Sequence, residues 1–129
     1  MPDTRGPAHW TAIHVPAANA QATATKAAAG VGNLNVCTGF TITLAATATA
    51  PTAVNLQVNL IDGASGGATY LWRTTISLPA TAGASTGYIV DLRLEGSDNT
   101  AMTLEFSAAG GANTVESVTM YGITTVAPP

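Results

Sequence analysis

The sequence predicts an all-β fold, a single sandwich or jelly roll of about eight antiparallel strands. Apolar and polar residues alternate in many short runs, each bounded by Gly, Pro, Asn or Asp, as in half-buried strands. These runs recur at regular spacing, and helical periodicity is sustained nowhere. With 129 residues, the chain is long enough for one sizeable core and too short for two.

The first 20 residues are expected to form an extended N-terminal arm. Residues 1–8 contain two prolines and a glycine and show no periodic pattern. Within the arm, the stretch from Trp10 to Val15 predicts a short strand ahead of Pro16. We expect the sandwich to occupy residues 21–126 and a short tail to occupy residues 127–129.

Thr alternation over Ala20 to Ala28 predicts the next strand, although this Ala-rich text also suits a helix. The clearest strand follows at Leu34 to Leu44, where the apolar residues share one face interrupted only by Thr38, and Cys37 lies on the other face. Five later runs alternate in the same way. Their expected inward residues are Val54, Leu56, Val58 and Leu60; Tyr70, Trp72, Ile76 and Leu78; Tyr88, Val90, Leu92 and Leu94; Met102, Leu104 and Phe106; Val118 and Met120.

The composition predicts a surface that partners cover. Only 9% of residues are charged, against about 25% in typical soluble domains, and Ala, Thr and Gly are abundant. A free monomer normally keeps itself soluble with mixed charge, so this surface suits an assembly; a secreted domain with a Thr-rich sheet face is the alternative. A net charge of −3 with four Lys and Arg residues argues against nucleic-acid and anionic-membrane binding.

Neither disulfides nor targeting segments are expected. Cys37 is the single cysteine, so no internal disulfide is available and stability must come from packing or subunit contacts. The N-terminus shows no apolar segment of signal-peptide length. The longest apolar-looking stretch, from Ala45 to Ala53, is broken by Pro51 and is too short to cross a bilayer.

No residue pattern indicates catalysis, a cofactor or a metal. His9 and His14 are five residues apart, so on one strand they point to opposite faces and cannot share a metal ion. Cys37 has no candidate base nearby in sequence, and no pair of the dispersed carboxylates is marked as catalytic. The loops at Asp62 and Asp98 are oxygen-rich but lack the carboxylate density of a calcium site. We therefore predict a non-enzymatic protein.

Four residues are candidates for contacts with a partner. Tyr70, Trp72 and Tyr88 share the parity of the aliphatic residues in their strands and are expected in the core. Trp10 lies beside the arm, and Tyr121 has the outward parity of the last strand, where amphipathic rings suit an interface. The predicted capsid or subunit interface residues are His9, Trp10, His14 and Tyr121.

From Ala22 to Thr124 the chain resembles the small jelly-roll capsid decoration (cement) proteins of tailed bacteriophages and related fibre or appendage modules. The likeness is carried by ATATKAAAGVGNLNVCTGF (22–40), LIDGASGGATYLWRTTISLPATAG (60–83) and GSDNTAMTLEFSAAGGANTVESVTMYG (96–122). It implies a jelly roll of two four-stranded sheets, self-association as a dimer or trimer, and docking onto the major capsid protein. It carries over no binding residue.

The expected function is that of a structural virion protein, made in the host cytoplasm, that decorates and stabilises the capsid surface. The alternative is a fibre or secreted recognition module that binds glycans through the loops at Asp62 to Thr69 and Gly96 to Thr100. A sandwich hydrolase would require a carboxylate pair that converges in a cleft. Binding to capsids, binding to glycans and the placement of the acidic residues distinguish these three hypotheses.

Overall fold

The computed structural model describes residues 8–128, which form eight β-strands and no helix. Residues 1–7, the first part of the expected arm, and Pro129 lie outside this range. The strands are β1 (Ala8–His14), β2 (Thr23–Lys26), β3 (Asn33–Ala46), β4 (Val54–Asp62), β5 (Tyr70–Leu78), β6 (Ser85–Glu95), β7 (Met102–Phe106) and β8 (Thr114–Val126). In this part of the chain, no helix is long and apolar enough to cross a membrane.

The strands form two antiparallel sheets of four strands each. The first sheet has the order β1-β8-β3-β6, and the second sheet has the order β2-β7-β4-β5. Strand β1 pairs with β8, β2 with β7, β3 with β6, and β4 with β5. The arrangement confirms the all-β prediction and is consistent with a sandwich.

The core lies between the two sheets. Phe40 and Met120 from the first sheet are fully buried, as are Leu60 and Phe106 from the second. The Phe40 and Trp72 rings meet edge to face with centroids 4.8 Å apart, a contact between the sheets. Burial of each side chain of this size stabilises the folded state by about 1.5–3 kcal/mol. The apolar residues that alternate along the strands therefore supply the hydrophobic driving force for folding.

Turns between strands depend on residues that tolerate the left-handed backbone region. Asn99 and Asn113 have φ of 48° and 65°, and Gly111 has φ of 102°. Asparagine and glycine adopt this conformation more readily than other residues. The turns expected at residues 96–99 and 109–113 therefore fall between β6 and β7 and between β7 and β8.

A β-bulge at Thr38 reverses the predicted orientation of Cys37. The register of β3 against both neighbours shifts between Cys37 and Gly39. Cys37 is consequently fully buried in the same core cluster as Phe40, whereas the sequence placed it on the opposite face. That prediction was wrong because an extra residue in a strand exchanges the faces on either side of it.

The core placement predicted for Tyr70 and Tyr88 was also wrong. Their side chains are 39% and 46% exposed. Tyr70 and Trp72 flank a second bulge, since Leu60 pairs with Trp72 and the next residue, Ile61, pairs with Tyr70. Trp72 therefore packs against the core while Tyr70 turns outward. Tyr88 lies on the inward side of its strand, as its parity predicts. Because β6 is an edge strand, neighbouring strands bury its side chain only in part.

The β4–β5 loop folds over the outer face of the second sheet and is held by Glu105. Its carboxylate accepts hydrogen bonds from the Ser65 hydroxyl and the Gly66 amide, the latter at 2.9 Å. Thr103 donates to the Gly63 carbonyl at 2.9 Å in the same loop. Glu105 and Thr103 are buried as a result, so this carboxylate has a structural role.

Candidate docking surface on the first sheet

Strand β1 brings the predicted N-terminal contact residues into the first sheet. It pairs with β8 along its whole length, from Ala8 opposite Thr124 to His14 opposite Val118. His9 is exposed, whereas Trp10 and His14 are half-buried. The structure thus places this part of the expected arm at a sheet edge, and the proposed boundary between arm and sandwich stays a prediction.

Trp10 points toward the core side of the first sheet. It packs against the core cluster and lies over Gly122, where an added Cβ would be 2.6 Å from the indole Cζ2. The indole Nε1 is buried and has no hydrogen-bond partner among the described residues. Only a glycine at position 122 leaves room for this ring, so the pair fixes the edge strand to the sheet.

His14 links the two sheets. Its Nδ1 accepts a hydrogen bond from the Thr23 amide at 2.9 Å, which joins the end of β1 to the start of β2. Two of the four predicted interface residues, Trp10 and His14, therefore make contacts within the chain. A role for either in binding a partner stays a prediction.

Tyr121 lies on the outer face of the first sheet, as its strand parity predicts. Its ring covers Gly39, where an added Cβ would be 2.6 Å from the ring carbon Cε2. Thr11 is its pairing neighbour on the other side. Tyr121 and His9 are thus the predicted contact residues that occupy the outer face.

Cross-strand registers arrange the outer face of the first sheet in rows that run from β1 to β6. One row joins Ile13, Thr119, Thr41 and Ile89, and these four residues are pairing neighbours in that order. The adjacent rows are Thr11, Tyr121, Gly39 and Asp91, and then His9, Ile123, Val36 and Glu95. We call this surface the threonine face. Its accessible residues on β1, β8 and β3 are those in the three rows, except the buried Val36 and Gly39, together with Thr43 and Ser117.

The threonine face carries no Asp, Glu, Lys or Arg on β1, β3 or β8, all of which lie within residues 8–128. The single carboxylate of these strands, Glu116, points inward and is fully buried. Charged side chains occur only at the β6 margin of the face, where Arg93 and Glu95 approach to 3.6 Å. An uncharged surface loses little hydration free energy when another protein covers it.

The outer face of the second sheet has a different chemistry. Arg73 donates from Nε to the Asn59 side chain at 2.9 Å and from its guanidinium to the Gln57 side chain, and it lies 3.9 Å from the Tyr70 ring centroid. Ser77 bonds to Asn55 on the same face. These polar groups are satisfied within the sheet, and all of them except the buried Asn59 are exposed to solvent, so the two outer faces are not equivalent.

Sequence reasoning missed two apolar residues on the threonine face. Ile13 is 63% exposed and Ile89 is 80% exposed. Both have outward parity in strands whose inward residues are also apolar. The available signal was an isoleucine at a position where the alternation of its strand predicts an outward side chain. Such a residue adds exposed apolar area to the face.

Two buried titratable groups lie outside the threonine face. Burial raises the pKa of the Cys37 thiol to about 11, which keeps it protonated and unreactive. Burial raises the pKa of Glu116 to about 7, an effect that the hydrogen bond from the Ala22 amide only partly offsets. Among residues 8–128, no group of three or more His, Cys, Asp or Glu residues is arranged to hold a metal ion.

No protein-family model, curated protein or solved structure matches the chain.

Proposed function

We propose that the chain is a structural virion protein, a capsid decoration (cement) protein that binds the outer surface of the major capsid protein shell and stabilises it. The virus assignment comes from the resemblance of residues 22–124 to phage decoration proteins. The observation that carries the docking role is the threonine face, which presents Thr, Ile and Tyr side chains without a charge on three adjacent strands. No catalytic role is part of the proposal.

Docking through this face follows from the energetics of desolvation. Covering Ile13 and Ile89 removes apolar area from water, at about 25 cal/mol for each Å². Thr hydroxyls can bond across an interface or to trapped water, so their burial costs less than that of charges. A protein held in this way would bridge neighbouring capsomers and add contact area that resists internal pressure.

The unequal outer faces favour one orientation on the shell. The second sheet satisfies its polar groups internally through Arg73, Asn59 and Gln57, which suits a surface in water. The first sheet lacks such a network on β1, β8 and β3. We therefore place the first sheet against the shell and the second sheet outward.

The jelly-roll part of the proposal is supported by the strand order. In a jelly roll, a long antiparallel ribbon of paired strands wraps into two sheets, so the first strand pairs with the last. The pairs β1–β8, β2–β7, β3–β6 and β4–β5 follow that rule in sequence. Alternate pairs fall in opposite sheets, as wrapping requires.

The proposed arm would add a second contact. The chain enters the first sheet at Ala8, at one end of its edge strand, where Ala8 pairs with Thr124. The proposed contact of the arm with an adjacent subunit involves residues before this point, which lie outside the described range. His9, the first exposed residue after this point with an aromatic ring, is the proposed contact on the chain itself.

Co-sedimentation with undecorated shells of the major capsid protein from the same genome tests the proposal. The wild type is expected to pellet with the shells. Thr41→Asp, which adds a charge at the centre of the threonine face, is expected to remain in the supernatant. Thr75→Asp is the matched control, because it makes the same change on the outer face of the second sheet.

Binding of both variants would contradict docking through the threonine face. Failure of the wild type to pellet, with circular dichroism showing a folded protein, would overturn the decoration role itself.

Glycan recognition is the second candidate, and one observation favours it. Asp62 accepts hydrogen bonds from the Ser97 amide, at 3.0 Å, and from the Ser97 hydroxyl, which brings the two predicted recognition loops side by side. The exposed Tyr70 ring follows the first of these loops and could stack on a sugar. Hits on a glycan array that Tyr70→Ala abolishes would support this role over capsid docking.

A further inference from the structure

Strand β6 presents the longest free edge of the first sheet. It runs for 11 residues and pairs only with β3, so the backbone groups on its other side have no strand partner within residues 8–128. Exposed and half-buried side chains alternate from Ile89 to Glu95 without a break. A long, regular edge of this kind is a template for pairing with another strand.

The remaining sheet edges are less suited to pairing. Strand β2 has four residues and ends at Lys26. Strand β5 contains the bulge beside Trp72 and is followed by Pro79. Strand β1 has seven residues and no charged side chain that would select a register. Short strands, bulges and prolines are the features that keep edges from pairing. Strand β6 is long and contains no proline. Its register against β3 shifts between Asp91 and Leu94, but exposed and half-buried side chains continue to alternate through that stretch.

We propose that a second copy of this chain pairs with β6 in antiparallel register, about a two-fold axis that passes through Leu92 perpendicular to the sheet. In this register, a residue that precedes Leu92 by a given number of positions lies opposite the residue of the second copy that follows Leu92 by the same number. Asp91 therefore faces Arg93 of the second copy, and Arg93 faces its Asp91. The inference goes beyond the decoration role and does not rest on it.

Charge complementarity and the length of strand overlap together select this register. Asp91, Arg93 and Glu95 are exposed on one side of β6. A two-fold axis through Leu92 brings two opposite-charge pairs together. Moving the axis by one residue places Asp91 against itself or Arg93 against itself, and like charges directly opposite each other are destabilising. An axis through Val90 leaves all the charges unmatched. An axis through Leu94 also pairs Arg93 with Glu95, but the two β6 strands then overlap only over residues 93–95, against residues 89–95 with the axis at Leu92.

The inward side of β6 supports the same pairing. Val90, Leu92 and Leu94 pack against the core but remain half-buried at the edge. With the axis at Leu92, the two Leu92 side chains meet and Val90 lies opposite Leu94 of the second copy. An apolar row is therefore covered on one side of the new sheet while the ion pairs form on the other.

The dimer would contain one continuous sheet of eight strands. Because the axis is perpendicular to the sheet, both threonine faces lie on the same side. Two docking surfaces would then act together, which raises the effective affinity for a repeating surface.

Analytical ultracentrifugation of charge-reversal variants tests the proposal. The wild type is expected to sediment as a dimer. Asp91→Arg and Arg93→Asp each place like charges opposite each other at both pairs, so each is expected to weaken dimerisation by roughly tenfold to a hundredfold. An equimolar mixture of the two variants restores both opposite-charge pairs and is expected to dimerise, as is the double variant that carries both changes.

Lys26→Asp is the control, because it reverses a cation on an edge strand of the other sheet. It is expected to leave the dimer unchanged. Circular dichroism and thermal melts establish that each variant is folded. A wild type that is monomeric at about 1 mM, or a dimer that neither reversal weakens, would overturn the proposal.

Cysteine cross-linking tests the position of the axis. Leu92→Cys places two thiols opposite each other, so mild oxidation by oxidised glutathione is expected to yield a disulfide-linked dimer. Val90→Cys is the matched control, since its partner lies four residues away and no dimer is expected. Cys37 is fully buried and stays out of the reaction. Cross-linking of Val90→Cys but not of Leu92→Cys would contradict the register.

Discussion

Replacing Glu116 by Gln is expected to remove a pH dependence from the stability of the sandwich. Glu116 is fully buried on β8, its Oε1 accepts a hydrogen bond from the Ala22 amide at 2.9 Å, and its Oε2 has no partner among the described residues. Burial raises its pKa from 4.5 to about 7. The folded protein therefore holds this proton more tightly than the unfolded chain.

The sign and size of the effect follow from that difference. The contribution of Glu116 to the free energy of unfolding is fully present below pH 4.5. It falls as the pH rises from 4.5 to about 7 and is absent at higher pH. At about 1.4 kcal/mol for each pH unit, the free energy of unfolding should drop by about 2–3 kcal/mol between pH 5 and pH 8. Gln has the same shape without the titration, so Glu116→Gln should lose this drop.

Urea unfolding of both proteins at pH 5 and pH 8, followed by Trp fluorescence, measures the effect. The difference between wild type and variant isolates Glu116, because all other titrating groups are common to both. The variant is expected to match the wild type at pH 5 and to exceed its stability by about 2–3 kcal/mol at pH 8. Parallel pH profiles for the two proteins would contradict the raised pKa of Glu116.

Two further substitutions test the packing. Trp72→Ala should lower the free energy of unfolding by about 3 kcal/mol, because the half-buried ring meets Phe40 across the core; a near-neutral result in urea would mean that this contact is absent. Gly122→Ala should destabilise more than its control Gly39→Ala. The added methyl group would meet the Val36 carbonyl at position 122, but only the rotatable Tyr121 ring at position 39. Equal melting temperatures for the two glycine variants would contradict the described strand contacts.

Alternation and turn residues were sufficient to predict the all-β fold and the strands. The run from Leu34 to Leu44 and the turns at Asn99 and Asn113 lie where the pattern places them. Even the Ala-rich segment that includes Thr23 to Lys26 is a strand, because its pairing with β7 outweighs a helical propensity worth only tenths of a kcal/mol per residue.

The errors arose where a strand gains one residue. The bulge at Thr38 moves Cys37 into the core, and the bulge beside Trp72 turns Tyr70 outward. A single sequence does not reveal a bulge, because the extra residue is defined by the partner strand and not by its own neighbours. The exposure of Tyr88 has a different cause, its place on an edge strand, which depends on the sheet order.

The candidate surface was only partly accessible to sequence reasoning. Strand parity was enough to place Tyr121 outward. The low charge content predicts a surface that partners cover, and that stays a prediction. Nothing local showed that Ile13, Thr119 and Thr41 would line up, since they come from three strands that pair over long sequence distances. The inward contacts of two predicted interface residues were equally hidden from local patterns. Trp10 packs over Gly122, which is far along the chain, and His14 accepts a hydrogen bond from Thr23 on another strand.

Cryo-electron microscopy of decorated shells tests docking through the threonine face. We expect density for the sandwich on the outer surface of the shell, with β1, β8 and β3 turned toward the major capsid protein and the Arg73 face of the second sheet in solvent. Density with the second sheet against the shell, or shells that remain bare at saturating protein, would contradict docking through the threonine face.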